Sequence, residues 1–259
     1  MKRILLVGDS ITQYGYMVEH RGWSAQLAQW CIRRADIVNR GLSGYNTRWI
    51  RGFLEGKEEP LVVPPLPSDG HYDLATVFLG ANDASCEYQH VPLEEYKANL
   101  IAIVDHLMTT SKIPNVLVVT PGPVEDAAWL EHQRGRVPPG GEKPTVGNRS
   151  FAVAAQYAAA AREATAVLQS KLKEGQRVEL VDIHSAMTKG THEGTEFWKT
   201  CLSDGLHFAA NGSDVLFQEI RKIILEKFPS SWHPEPEDNP PMPMALPHYS
   251  AFEPRQQEA

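Results

Sequence analysis

Cysteine is scarce in this chain: three among 259 residues, Cys31, Cys86 and Cys201, set far apart. That excludes a disulfide framework and a closely spaced zinc site. The expectation is three buried small hydrophobes in a reducing compartment. No apolar run reaches the roughly 18 residues that a membrane-spanning helix needs. The first apolar stretch, residues 4–7, is too short for a secretory leader and has no small-residue cleavage pattern behind it. A cytoplasmic protein is therefore expected, and the glycosylation sequons at Asn148 and Asn211 carry little weight without secretion. Cationic excess is missing too. With a net charge of −7 and a pI near 5.8, the chain offers no concentrated basic face for nucleic acid.

Two further absences narrow the chemistry. No Gly-x-Ser-x-Gly elbow occurs, which argues against an α/β-hydrolase, and no Gly-Lys-Ser/Thr phosphate loop occurs, which argues against a nucleotide hydrolase. His184 and His192 lack a tight ligand spacing and read as surface or structural residues. No metal and no other cofactor is expected.

What the chain does have is alternation. Short, nearly continuous apolar runs at 4–7, 36–39, 74–79, 116–120 and 178–181 have the pattern of strands covered on both faces. Between them, residues 23–33, 93–108, 150–172 and 212–228 carry apolar side chains at helical spacing, the third of these rich in alanine. Strand and helix in alternation imply an α/β fold: a doubly wound, five-stranded parallel sheet of flavodoxin-like order with helices on both faces. Ligands of such sheets bind off the carboxyl ends of the strands. Two stretches break the pattern. Residues 121–147 are rich in Pro and Gly and too long for an ordinary connection, so a loop at the rim of the site is expected there. Residues 229–259 form a proline-rich tail, extended rather than helical, whose Trp232, Tyr249 and Phe252 suggest docking on the domain or on a partner subunit of a homodimer. The expected division is a catalytic domain over 1–228 and the tail over 229–259.

Small polar residues gather where the strands end. Gly8-Asp9-Ser10 follows the first strand and Gly80-Ala81-Asn82-Asp83 the third. Taken singly, Ser10 fits a helix cap, Asn82 and Asp83 fit turn residues, Gly44 a flexible link and His207 a capping histidine. Taken together they supply what a serine hydrolase needs: a nucleophile, a base, a group orienting the base, and donors for an oxyanion. Ser10 is the nucleophile candidate, His207 the base, and Asp204, three residues earlier, its orienting carboxylate. The backbone N–H groups of Ser10 and Gly44 and the side-chain amide of Asn82 are the oxyanion-hole candidates. Asp9 and Asp83, beside them, are expected to hold the loops by hydrogen bonds.

In these blocks the chain resembles the SGNH hydrolases, the GDSL-type esterases, and among them the isoamyl acetate-hydrolysing group. The blocks stand in the family's order: Gly8-Asp9-Ser10, Gly41-Leu42-Ser43-Gly44, Gly80-Ala81-Asn82-Asp83 and Asp204-Gly205-Leu206-His207-Phe208. One small departure is Ile11, where the name-giving motif has Leu. The resemblance implies the same sheet, catalytic Ser10, Asp204 and His207, and an oxyanion hole of Ser10, Gly44 and Asn82. It also implies a small-molecule substrate, a short acyl ester of a small alcohol. A carbohydrate acetylesterase, a lysophospholipase or a thioesterase would use the same residues. A non-catalytic binding module would have no reason to keep all of them. Trp129, Met187, Phe197, Trp198 and Phe208 are the apolar residues expected near the rim.

Overall fold

A computed structural model describes residues 1–57, 71–189 and 196–233. Five parallel strands, β1 (Lys2–Gly8), β2 (Ala35–Gly41), β3 (Leu74–Phe78), β4 (Asn115–Val119) and β5 (Arg177–Val181), form one sheet in the order β2-β1-β3-β4-β5. This is the flavodoxin-like order that the alternation predicts, and each strand overlaps one of the five apolar runs. The runs are continuous because both faces are covered. Along β1, Ile4 and Leu6 point into one apolar layer, while Leu5 and Val7 point into the other.

Helices fill both layers. On the first face lie α2 (Trp23–Trp30) and α9 (Ala210–Lys227), which insert Trp23, Leu27, Leu216, Ile220 and Ile224. On the second lie α4 (Leu93–Thr109) and α6 (Phe151–Gln169). The alanines of α6 explain its close fit: Ala158, Ala161 and Ala164 are fully buried, so the helix backbone approaches its neighbours without bulky side chains between them.

Two short helices begin at the carboxyl edge of the sheet. Helix α1 (Ser10–Gln13) follows β1, and α3 (Thr47–Leu54) follows the turn after β2. Register brings these turns together, since Gly8 pairs with Gly41 on one side and with Phe78 on the other. Whatever follows those three residues must converge at one edge.

The stretch 121–147 differs from the expected loop. Within it, Asp126–Gly135 forms helix α5, capped by the Glu125 carboxylate, which accepts from the Ala128 N–H. Prolines and glycines flank this segment without entering its middle, so composition averaged over the stretch hid a helix with good formers inside it. Two further short helices, α7 (Ile183–Thr188) and α8 (Phe197–Thr200), complete the described elements between β5 and α9.

Helix α9 ends at Lys227. Beyond it the chain makes one 3-10 turn, Ser230–Trp232, where an extended chain was expected. Trp232 is buried, with Lys2 Nζ 4.2 Å from its ring centroid, so this aromatic does dock on the domain. Tyr249 and Phe252 and the rest of the tail lie outside the described residues, as does His192. Cys31 and Cys201 are buried as expected, but Cys86 is exposed: it sits in the bend after the Asn82-Asp83 turn, where no helix covers it. His184 is buried against Phe151, a structural position. Among the described residues no helix is long and apolar enough to cross a membrane.

Candidate active site

Ser10 is the first residue of α1, and Asp9 is its N-cap: Asp9 Oδ1 accepts from the Ile11 N–H at 3.0 Å. The helix-cap reading and the nucleophile reading of this stretch are thus compatible. From the first position of α1, Ser10 Oγ reaches His207 Nε2 at 2.9 Å. On the other side of the ring, His207 Nδ1 lies 2.7 Å from Asp204 Oδ2. Asp204 is itself fixed, because its Oδ1 accepts from the N–H groups of Leu206 and His207. An ionised carboxylate at Nδ1 selects the tautomer with the proton there, which leaves Nε2 as the acceptor for the serine hydroxyl. Although burial works against the charge, hydrogen bonds from His207 and the two backbone groups hold the Asp204 carboxyl down at about 2.

The tight turn carrying this pair depends on Gly205. Its φ is +92°, and a Cβ there would collide with the Trp129 N–H and the Glu125 carbonyl. With no side chain at 205, the turn lies directly on the start of α5, and the Glu125 N–H donates to Gly205 O at 2.9 Å. Helix α5 also supplies Trp129, whose ring meets the His207 ring edge-on at 6.2 Å; Tyr14 meets it from elsewhere at 5.6 Å. The imidazole is therefore held by packing as well as by hydrogen bonds. His132, stacked on Trp129, brings a second imidazole within 3.6 Å of Asp204 Oδ2.

Gly44 and Asn82 come to the same place. Ser10, Gly44, Asn82 and His207 all line one cleft of about 380 Å³. Gly44 takes a left-handed conformation, φ +85°, that would strain any other residue. Asn82 is buried, and its Nδ2 donates to Tyr45 O at 2.8 Å. All five site residues read from the sequence therefore meet in one place.

Two side chains that sequence reasoning missed complete this wall. Arg149 is buried at the start of α6, and its guanidinium donates to Ala81 O (2.7 Å), Asn148 Oδ1 (2.9 Å), Asn82 Oδ1 (2.9 Å) and Gln89 Oε1 (2.7 Å). Gln89 in turn donates to Gly44 O at 2.7 Å and to Asn82 Oδ1 at 3.2 Å. In the sequence the arginine stands in Asn148-Arg149-Ser150, a stretch legible only as a sequon. Asn148 is committed within the wall, accepting from Trp129 Nε1 and donating to Glu87.

Of the apolar residues expected at the rim, Trp129 lines the Ser10 cleft. Phe208 lines a neighbouring cleft of about 350 Å³ that shares His207 and Asp204 with Ile11, Tyr14, Met17 and Trp23. Met187 is buried in the core, Phe197 and Trp198 pack against that core, and none of the three lines either cleft.

Asp9 and Asp83 hold loops, as expected. Asp83 accepts from the backbone N–H and the hydroxyl of Thr47, tying α3 to the Asn82 turn. Burial pushes Asp83 up to about 7, against the Thr47 hydrogen bonds and with the neighbouring Asp9 adding to the rise. A carboxyl whose folded pKa lies above its unfolded value of 3.8 stabilises fully below that value, and this contribution is lost as pH rises through about 7. Asp83→Asn keeps an oxygen acceptor for Thr47 and removes the charge. It is expected to raise Tm by about 4 °C at pH 8 and by under about 1 °C at pH 4, as read by calorimetry. Equal shifts at both pH values would count against a buried carboxylate.

A family model described as the GDSL-like Lipase/Acylhydrolase family matches residues 6–215. The isoamyl acetate-hydrolyzing esterase 1 homolog of Bos taurus is 34% identical over 243 residues, 88% of this chain and 83% of that protein. The isoamyl acetate-hydrolyzing esterase of Saccharomyces cerevisiae is 29% identical over 242 residues, 90% of each chain. Among solved structures, a carbohydrate acetylesterase from Sinorhizobium meliloti superimposes with a TM-score of 0.57 at 18% identity, covering 88% of this chain and all of the other. That last likeness concerns the fold.

Proposed function

This chain belongs to the GDSL-like lipase/acylhydrolase family and is a carboxylic ester hydrolase, and from that premise we propose that it cleaves short acetate-type esters of small alcohols through an acyl-serine intermediate on Ser10. The observation that carries the reading is the unbroken hydrogen-bond chain Ser10–His207–Asp204, opening into the cleft that also holds Gly44 and Asn82. The catalytic unit in this reading spans residues 1–228.

Each residue has a defined task. His207 Nε2 takes the proton of Ser10 as Oγ attacks the ester carbonyl, and Asp204 stabilises the imidazolium that results. The carbonyl oxygen gains its negative charge facing the Ser10 and Gly44 N–H groups and the Asn82 amide; one such donor contributes about 3 kcal/mol to the transition state. His207 then returns the proton to the departing alcohol. Water, deprotonated by the same imidazole, attacks the acyl-serine and frees the acid.

Short acyl chains are favoured by the modest size of the Ser10 cleft and by the isoamyl acetate-hydrolysing relatives. A second reading, removal of acetyl groups from a sugar, draws on the polar side chains around that cleft, Glu87, Gln133 and Arg136. A panel of p-nitrophenyl esters from acetyl to palmitoyl, run beside acetylated sugars, tests both. Activity on p-nitrophenyl esters is expected to peak at two to four carbons and to fall about tenfold or more by eight, with isoamyl acetate preferred to acetylated sugar. Surplus methylenes in a confined site cost about 1–3 kcal/mol each. A maximum at long chains would overturn the short-ester proposal, and a preference for sugar acetates would favour the second reading.

A further inference from the structure

We propose that Arg149 is a positioning residue for the oxyanion hole: its guanidinium sets the amide of Asn82 directly and the loop of Gly44 through Gln89, and lends the hole a positive charge. The inference rests on the assignment of Gly44 and Asn82 as oxyanion donors made above.

Orientation comes first. An asparagine amide is useful in an oxyanion hole only if its nitrogen faces the substrate, and the two ends of the amide have nearly the same shape. Here Asn82 Oδ1 receives N–H groups from Arg149 (2.9 Å) and Gln89 (3.2 Å), while Nδ2 donates to Tyr45 O (2.8 Å). Flipping the amide would set its NH₂ against the guanidinium and its oxygen against a carbonyl, so both ends reject the wrong orientation. One Nδ2 hydrogen is used by Tyr45, and the other remains for the cleft.

The same guanidinium nitrogen that holds Asn82 also donates to Gln89 Oε1 (2.7 Å), and Gln89 passes the constraint on by donating to Gly44 O (2.7 Å). One buried cation thereby fixes two elements that are far apart in sequence. A lysine in its place would offer a single tetrahedral ammonium, unable to serve acceptors spread across a planar fork.

Charge is the second contribution. All four acceptors of Arg149 are neutral oxygens, three of them carbonyls of side-chain amides on the cleft wall. No carboxylate takes a hydrogen bond from the guanidinium, so although the charges of Asp9 and Glu87 offset part of its field, the cation stays buried beside the cleft with the Trp129 ring centroid 5.3 Å away. A cation fixed behind the donors before the reaction starts stabilises the tetrahedral anion far more than the neutral ester, which is the differential effect catalysis requires.

The test is a double-mutant cycle between Arg149 and Asn82, read as kcat and KM on p-nitrophenyl acetate. Arg149→Met is expected to lower kcat about 10²-fold with KM changed less than about threefold, and Arg149→Lys to lower kcat about tenfold. In an Asn82→Ala background, Arg149→Met is expected to cost less than about tenfold further, because much of its effect passes through the missing amide. Should the methionine variant fail to fold, the lysine variant carries the same cycle, with circular dichroism as the check on its fold. Full additivity in the cycle, or a loss confined to KM, would overturn the proposal while leaving the oxyanion hole intact. If Asn82→Ala leaves kcat unchanged, the oxyanion assignment beneath it fails instead.

Discussion

Ser10→Ala is expected to lower kcat/KM by about 10⁴-fold or more and to abolish labelling by a fluorophosphonate probe. The size follows from what remains after the change. The cleft, the donors at Gly44 and Asn82, and the imidazole all persist, so substrate still binds and water still meets a polarised carbonyl. What is lost is the covalent route, in which the attacking oxygen is held 2.9 Å from its base. Folding should be nearly untouched, since Ser10 is buried but its hydroxyl serves no element other than His207 in the described hydrogen bonds, while the cap of α1 belongs to Asp9. Labelling of the alanine variant at the wild-type rate would mean that another residue is the nucleophile.

Asp204→Asn is expected to cost nearly as much, about 10³- to 10⁴-fold in kcat, for a different reason. An asparagine amide can turn its NH₂ toward His207 Nδ1, which then becomes the acceptor and moves the ring proton to Nε2. The base then holds a proton at the position where it must receive one. With Asp204 held at about 2, its favourable interaction with His207 is complete above the unfolded value of 3.8 and is lost only as pH falls through about 2. Measured on wild type and variant from pH 5 to 9, the variant should stay low throughout rather than recover at one end. A loss below about tenfold would show that His207 is oriented by something else, for which the Tyr14 and Trp129 rings packed on the imidazole are the candidates.

Much of this arrangement was legible in sequence because its signals are local. Each strand is a short apolar run, and its alternation with helical segments implies a parallel sheet with right-handed crossovers. The candidate site is legible for the same reason: Ser10, Asn82 and the Asp204–His207 pair each sit in a compact block of small residues at a strand end or turn. Arg149 gave no such signal. Its work depends on the turn leading into α6 placing it beneath residues 81 to 89, and a single arginine just before a helix looks like any surface charge until it is found buried. Helix α5 was hidden differently, by flanking prolines and glycines that coloured a window longer than the helix itself. His132, through which α5 approaches Asp204, was obscured with it, whereas Trp129 was read only as an apolar rim residue.

Ser10 and His207 stand 197 residues apart, yet they share one hydrogen bond. Bringing such distant partners together carries a large loop-closure entropy, and contacts of this kind form late. Strands β1 to β4 can pair, and the cleft wall from Gly44 to Asn82 can assemble, before the last block of the chain has been made. During synthesis, then, the growing protein carries a serine without its base, and it acquires hydrolytic power only when the Asp204–His207 turn closes over α5.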